Sequence, residues 1–313
     1  LAGLLAWSTA VVVAVGVSPS FSNGFYYSGE SFIPLDVPGS DSDSTQPFGV
    51  NNAGDVVGYY AAGNVGYGFF DSGGTFTTLA VPGGDNAARG INDADLIIGN
   101  GYLYFEGAYD TTVGGNGINN SGEIASGDGI FDSSGKLLTF INVPGSTYTI
   151  SLGINNNGQV VGWCITCTLG SAAENSFLYS DGNYTILAMP GADDTLALGI
   201  NDQGQIVGAY YSGGTFNGFL YTNGSYTTLD DPAGTNTRLS GINNAGEIVG
   251  WDEVVDVPAG VPEASTSAMM LVGFTALGLA GFHATRRQLS SLNETQCYNG
   301  SDGYGGGDKS GPR

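Results

Sequence analysis

Residues 153–162 read GINNNGQVVG: a glycine, one apolar residue, a polar turn and an apolar pair. The phrase recurs as GVNNAGDVVG from Gly49, GINDADLIIG from Gly90, GINNSGEIAS from Gly117, GINDQGQIVG from Gly199 and GINNAGEIVG from Gly241. Successive copies lie 41, 27, 36, 46 and 42 residues apart, the self-similarity of a repeat architecture. Each copy carries hairpin chemistry. In the first, Asn51 opens a type I turn, Gly54 takes the positive φ that closes it with a bulge, and Val50 and Val56 begin the flanking strands. Asp95 replaces that glycine in the second copy, and aspartate is among the few residues that tolerate the left-handed region.

A second hairpin alternates with the first. It reads GFYYSGESFIPLDVPG from Gly24, GFFDSGGTFTTLAVPG from Gly68, GIFDSSGKLLTFINVPG from Gly129, SFLYSDGNYTILAMPG from Ser176 and GFLYTNGSYTTLDDPAG from Gly218, with a shortened copy, GYLYFEGAYDTT, from Gly101. Aromatics such as Phe219 and Tyr221 alternate along one strand, Asn223 and Gly224 turn it, and Tyr226 to Leu229 return. Val37-Pro38-Gly39 then forms a type II turn that ends pairing. Two hairpins make a four-stranded unit that cannot cover both its faces, so six units must stack. The chain begins on an aromatic hairpin (Gly24 to Gly39) and ends on an NNxG hairpin (Gly241 to Trp251), two halves of one unit. The expected fold is therefore all-β: a six-bladed β-propeller closed by pairing of the N- and C-terminal hairpins, with apolar helices at both termini. An open solenoid, which would need capping ends, is the competing architecture.

Composition agrees. Fifty-four glycines in 313 residues argue against long helices, and 11 prolines cannot supply a collagen lattice of this length. Between Asn23 and Gly260 three cations (Arg89, Lys136, Arg238) face 25 acids, so the net charge of −22 resides in the body. Such a field repels nucleic acid and anionic headgroups, and nucleic-acid binding is excluded. With one histidine, His283, outside the repeats, imidazole triads and most zinc chemistry are excluded from the body.

The two ends read as addresses. Leu1 to Val17 is an apolar run with Ala14 and Gly16 as an A-x-G cleavage candidate, the pattern of a secretory signal. Val261 to Gln288 carries an uncharged stretch from Ala264 to Phe282, followed by Arg286 and Arg287. Its length and its arginines suit a membrane span with a positive inner end. The organisation expected is residues 1–22 signal peptide, 23–258 propeller, 259–287 sorting and transmembrane segment, and 288–313 a low-complexity tail.

Two resemblances follow from these residues. The segment with Val261, Pro262, Glu263, Ser265, Thr266, the apolar run from Ala268 and the pair Arg286–Arg287 resembles the PEP-CTERM sorting signal, although Ala264 stands where the family has its second proline and 26 residues follow Arg287. That resemblance implies export from a Gram-negative bacterium, retention in the membrane through the C-terminal segment, and processing by an exosortase-type enzyme near Pro262 and Glu263. Residues 24 to 253 resemble the HAF-type extracellular repeat, a family of secreted bacterial proteins with no general activity assigned. The GINNxGxIVG and FLYxxGxYTTL portions match, while the His-Ala-Phe triplet is replaced by Asn23-Gly24-Phe25, Tyr67-Gly68-Phe69, Asn175-Ser176-Phe177 and Asn217-Gly218-Phe219. The packing phenylalanine is kept and any role carried by the histidine is lost.

Candidate chemistry is sparse. Trp163-Cys164-Ile165-Thr166-Cys167 has the spacing of a redox CxxC but follows a repeat strand instead of opening a helix, so a local structural disulfide between Cys164 and Cys167 is the expectation. Of the acid pairs Asp193–Asp194, Asp230–Asp231 and Asp252–Glu253, none is shown by adjacency in sequence to face one substrate, and Asp230–Asp231, at the repeat position of Asp36–Val37 and Ala80–Val81, reads as an inter-blade turn; Asp55, Glu123, Gln159, Gln205 and Glu247, which follow the turn glycine, read as solvent-facing polar residues. No P-loop spacing occurs among the glycines. The function expected is a secreted, surface-retained, non-catalytic propeller of the bacterial extracellular matrix or envelope, without a cofactor or metal. It would bind an exopolysaccharide or another surface protein through its loops. The alternative is a carbohydrate-active propeller, whose sign would be acids from different blades converging on one mouth of the central channel.

Overall fold

The computed structural model describes residues 21–254, except 42–43, 64, 82–85, 166 and 168–173. The leader, the sorting segment with Val261, Pro262, Glu263, Arg286 and Arg287, the terminal helices and the tail lie outside the described residues.

Among the described residues, twenty-four strands form six antiparallel four-stranded sheets. The chain opens with β1 (Phe21–Tyr27) and β2 (Phe32–Leu35). Blade I is β3 (Gln46–Val50), β4 (Val56–Ala62), β5 (Val65–Ser72) and β6 (Thr75–Leu79). Blade II is β7 (Ala88–Ile91), β8 (Ile97–Gly99), β9 (Tyr102–Phe105) and β10 (Ala108–Asp110). Blade III is β11 (Gly117–Ile118), β12 (Ile124–Ser126), β13 (Gly129–Phe131) and β14 (Leu137–Phe140). Blade IV is β15 (Tyr148–Ile154), β16 (Val160–Ile165), β17 (Glu174–Ser180) and β18 (Asn183–Leu187). Blade V is β19 (Asp194–Ile200), β20 (Ile206–Ser212), β21 (Thr215–Thr222) and β22 (Ser225–Thr228). Blade VI joins β23 (Thr235–Ile242) and β24 (Ile248–Val254) to the start of the chain in the order β2-β1-β24-β23. Strand β1 takes in Phe21 and Ser22, two residues ahead of the expected start at 23, and pairs with β24 from Phe21↔Val254 to Tyr27↔Ile248.

The apolar pair of each repeat explains the ring. Neighbours on a strand face opposite sides, so the pair serves two seams. Val160 packs in the core between blades III and IV, and Val161 in the core between IV and V. Val56 and Val57 divide in the same way between the VI/I and I/II cores, and Ile97 and Ile98 between I/II and II/III. Six such clusters, one per seam, hold the core. Phe25, Phe69, Phe177 and Phe219 are buried in four of them.

The innermost strands β3, β7, β11, β15, β19 and β23 are adjacent in that cyclic order, β23 returning to β3. They converge at the first glycine of the repeat. A Cβ on Gly199 would stand 2.9 Å from Ser240 O and 3.1 Å from Gly241 Cα, and one on Gly241 would stand 3.2 Å from Gly49 Cα. Glycine at this position lets neighbouring backbones touch around the axis. In five blades a register shift immediately precedes this glycine, as between Ala197 and Gly199, and such a bulge bends the strand inward.

Candidate axial site

The repeat turns meet at one end of the channel and build it in layers. Next to the glycines lie Val50, Ile91, Ile118, Ile154, Ile200 and Ile242, then a ring of asparagines, then an outer ring of asparagine and aspartate. The inner asparagines, Asn51, Asn92, Asn119, Asn155, Asn201 and Asn243, are all buried. Each Nδ2 donates to the backbone carbonyl of the equivalent asparagine in the next blade, at 2.9 to 3.4 Å, and Asn243 completes the circle on Asn51 O. Each Oδ1 accepts two backbone N–H groups of its own turn, those of Ala53 and Asp55 for Asn51. Only a side chain with both donor and acceptor can fill this role, which is why the position is invariant among the six copies.

The turn itself is the one expected. Gly54 N donates to Asn51 O at 3.2 Å with Gly54 at φ 86°, and Asp95 adopts φ 57° in the glycine's place. Asp95 Oδ1 also accepts from Asn51 Nδ2 of the preceding blade at 3.1 Å. Burial pushes the Asp95 carboxyl up, and the charge of Asp55 adds to this.

One expectation is corrected here. Asp55, Glu123, Gln159, Gln205 and Glu247 are not solvent-facing: each accepts from the belt asparagine four residues earlier, at 2.6 to 3.1 Å. Acid and amide interchange at this position because both offer the acceptor oxygen the asparagine needs. Leu96 occupies the same position in blade II. Burial, followed by the hydrogen bond and charge of Glu247, pushes the Tyr26 phenol well above its ordinary value.

The outer ring comprises Asn52, Asp93, Asn120, Asn156, Asp202 and Asn244. Each backbone N–H donates to the side-chain oxygen of the next member, at 2.8 to 2.9 Å around the full circle. The side chains form two clamps. Asp93 Oδ2 accepts from Asn52 Nδ2 at 2.8 Å and Asn120 Nδ2 at 2.6 Å, and Asp202 Oδ2 accepts from Asn156 Nδ2 at 2.8 Å and Asn244 Nδ2 at 2.7 Å. Two carboxylates thus absorb four amide donors. Burial pushes Asp93 up, but the backbone N–H and amide of Asn52 and the amide of Asn120 outweigh it and hold the carboxyl below the usual range. The cavity inside the rings is about 90 Å³, room for a few waters and well short of the roughly 300 Å³ of a small-molecule pocket.

Elsewhere, Cys164 and Cys167 are joined by a disulfide with Cα atoms 5.8 Å apart, and Cys164 is buried in β16. Asp230 Oδ1 accepts from Gly218 N at 2.8 Å, and Asp231 caps Ala233 N at 2.8 Å, as turn residues do. Glu253 is paired with Arg238 at 3.1 Å, and Asp252 is buried. Among the described residues no cluster of three or more His, Cys, Asp or Glu side chains is arranged to hold a metal ion, and no helix is long and apolar enough to cross a membrane. The chain matches no protein-family model and no curated protein.

Proposed function

We propose that this chain is a secreted, surface-retained propeller of the bacterial extracellular matrix or envelope, a binding module without catalysis that presents its axial mouth and the surrounding turns to a partner. The observation that carries this reading is the outer ring. It offers amide and carboxylate groups at an exposed rim, yet each carboxylate is committed as an acceptor to two amides, and Asp93 is held ionised. A general acid must release and regain a proton near the working pH, which this arrangement opposes.

The chain ends favour the same surface. Phe21 and Val254 pair at the end of blade VI opposite the Asn243–Glu247 turn, so the last described residue stands at the face opposite the mouth. If the Ala264–Phe282 segment tethers the protein, with the sorting motif from Val261 to Arg287 processed by an exosortase-type enzyme, the mouth faces away from the membrane. The β1–β24 pairing is read as the closure of the ring. The register of seven residues supports this, as does the Ser240 hydroxyl, which donates to Pro47 O at 2.7 Å across the seam between blades VI and I.

The carbohydrate-active alternative has one observation in its favour: Asp93 and Asp202, from blades II and V, stand at one mouth. A glycan array and a reducing-end assay on the full chain separate the two readings. Binding that is lost in Asp93→Asn/Asp202→Asn, with no glycan cleaved, is the expected result. Cleavage abolished by either substitution would replace this reading with a hydrolase.

A further inference from the structure

The triplet Asn-x-Ser/Thr, the acceptor of N-linked glycans, occurs three times among the described residues: Asn119-Asn120-Ser121, Asn183-Tyr184-Thr185 and Asn223-Gly224-Ser225. The fold treats the three differently. Asn119 belongs to the buried inner ring, and its amide donates to Glu123 Oε2 at 2.7 Å and to Asn155 O at 3.2 Å, out of reach of any transferase. Asn223 is exposed but lies in a hairpin turn at φ 51°, with Thr222 paired to Ser225. The chain reverses inside that triplet, so its amide and hydroxyl share no face.

Asn183 is placed otherwise. Asp181 at φ 50° and Gly182 at φ 82° complete the turn before it, so Asn183 opens β18 as extended chain. Side chains two apart on a strand share a side. Asn183 and Thr185 are both exposed, while Tyr184 between them turns inward and its hydroxyl accepts from Asn142 N at 2.9 Å. The Asn183 amide makes one long surface contact, donating to Asp181 O at 3.3 Å. Strand β18 is the outer edge of blade IV. Gln159 Nε2 donates to Ser180 Oγ at 3.4 Å, which puts the β17–β18 turn on the face of the axial mouth. Three strand spacings, about 14 Å, separate β18 from the innermost strand. Exposed Asp181 also sets a carboxylate two residues ahead of Asn183, where the turn at Asn223 has Tyr221.

We propose that Asn183 is an N-glycosylation site, which sets a glycan on the outer rim of the mouth face. The donor is an oligosaccharide carried on polyprenyl pyrophosphate. Transfer breaks the bond between sugar C1 and the pyrophosphate oxygen, which departs with the electron pair, and joins C1 to Asn183 Nδ2, whose lost proton passes to the transferase. A glycan here borders the mouth without filling it, and its bulk blocks strand addition at the β18 edge. The inference rests on the export in the proposed function, since the transfer takes place on the outer side of the membrane.

The test incubates the purified full chain, in mild detergent, with a bacterial oligosaccharyltransferase and an undecaprenyl-pyrophosphate-linked oligosaccharide. The intact mass is expected to rise by one glycan, mapped by peptide sequencing to Asn183. Asn183→Gln should abolish the rise with an unchanged circular dichroism spectrum. Thr185→Ala should slow transfer at least about tenfold and Thr185→Ser restore it, because a site built to bind a hydroxyl rejects a chain that lacks one. A wild-type chain that takes no glycan, or takes it at Asn223, overturns the inference. The mass of the chain from its producing cells separates this inference from the reading it rests on. Exported chain bare at Asn183 refutes the site, whereas chain held inside the cell refutes export and leaves the purified reaction to decide the site.

Discussion

Asn201 shows why one residue type recurs at the axis. Its Oδ1 accepts from Gln203 N and Gln205 N, and its Nδ2 donates to Gln205 Oε1 and Asn243 O, so four polar groups near a buried channel depend on one amide. Leaving buried donors and acceptors unmet costs about 1–3 kcal/mol each, more than a hydrogen bond returns when made. Asp93 is the residue where protonation tests the ring. Because its folded carboxyl is lower than the unfolded value of about 3.9, it stabilises above that value, and the contribution is lost as pH falls through the folded pKa. Asp93→Asn would set an amide donor against those of Asn52 and Asn120. We expect it to lower stability at pH 7 by roughly 1 kcal/mol, discounted for exposure, with the gap to wild type closing under acid. Urea midpoints at pH 7 and pH 3 measure this, and a gap unchanged between them would mean that the carboxylate is not the acceptor.

At the scale of the element, the inner strand is set by its glycine. A methyl at Gly199 would press on Ser240 O and Gly241 Cα, backbone of the next blade that cannot yield without opening the V/VI seam. Gly199→Ala is therefore expected to cost about 1–3 kcal/mol, read as a lower urea midpoint with the spectrum of the folded state retained. An effect below about 0.5 kcal/mol would show that the blades are not in backbone contact there. The hairpins were legible in the sequence because each turn announces itself locally: Asn51 with Gly54, Asn223 with Gly224, and Val37-Pro38-Gly39, whose Ser40 N donates to Val37 O at 3.0 Å. The bulges before the inner glycines were not legible. Phe48, Arg89, Leu152, Leu198 and Ser240 share no chemistry, and what bends the strand there is its approach to a neighbour.

For the whole molecule, closure is the property to test. Each seam holds its own apolar cluster, so a ring closed by the N- and C-terminal hairpins would make the stability of each blade depend on both its neighbours. Removing residues 1–27 would strip β24 of one of its two strand partners and Phe25 from the V/VI core. If closure operates, one cooperative urea transition in the full chain should become broader and shift to lower urea after this truncation. An unchanged transition would favour an open array, in which stability is local to neighbouring repeats.

Self-similarity alone settled the number of units, their hairpin composition and the burial of the valine and isoleucine pairs, because turn preference and strand alternation act over a few residues. The partners of the asparagines could not be read in this way. Asn51 and Asn92 are 41 residues apart, Asn243 and Asn51 are 192 apart, and each finds its acceptor only once all six turns point at one axis. Glu123 and Gln159 looked like surface residues for the same reason: their acceptor role exists only beside an amide that the ring has already fixed in place.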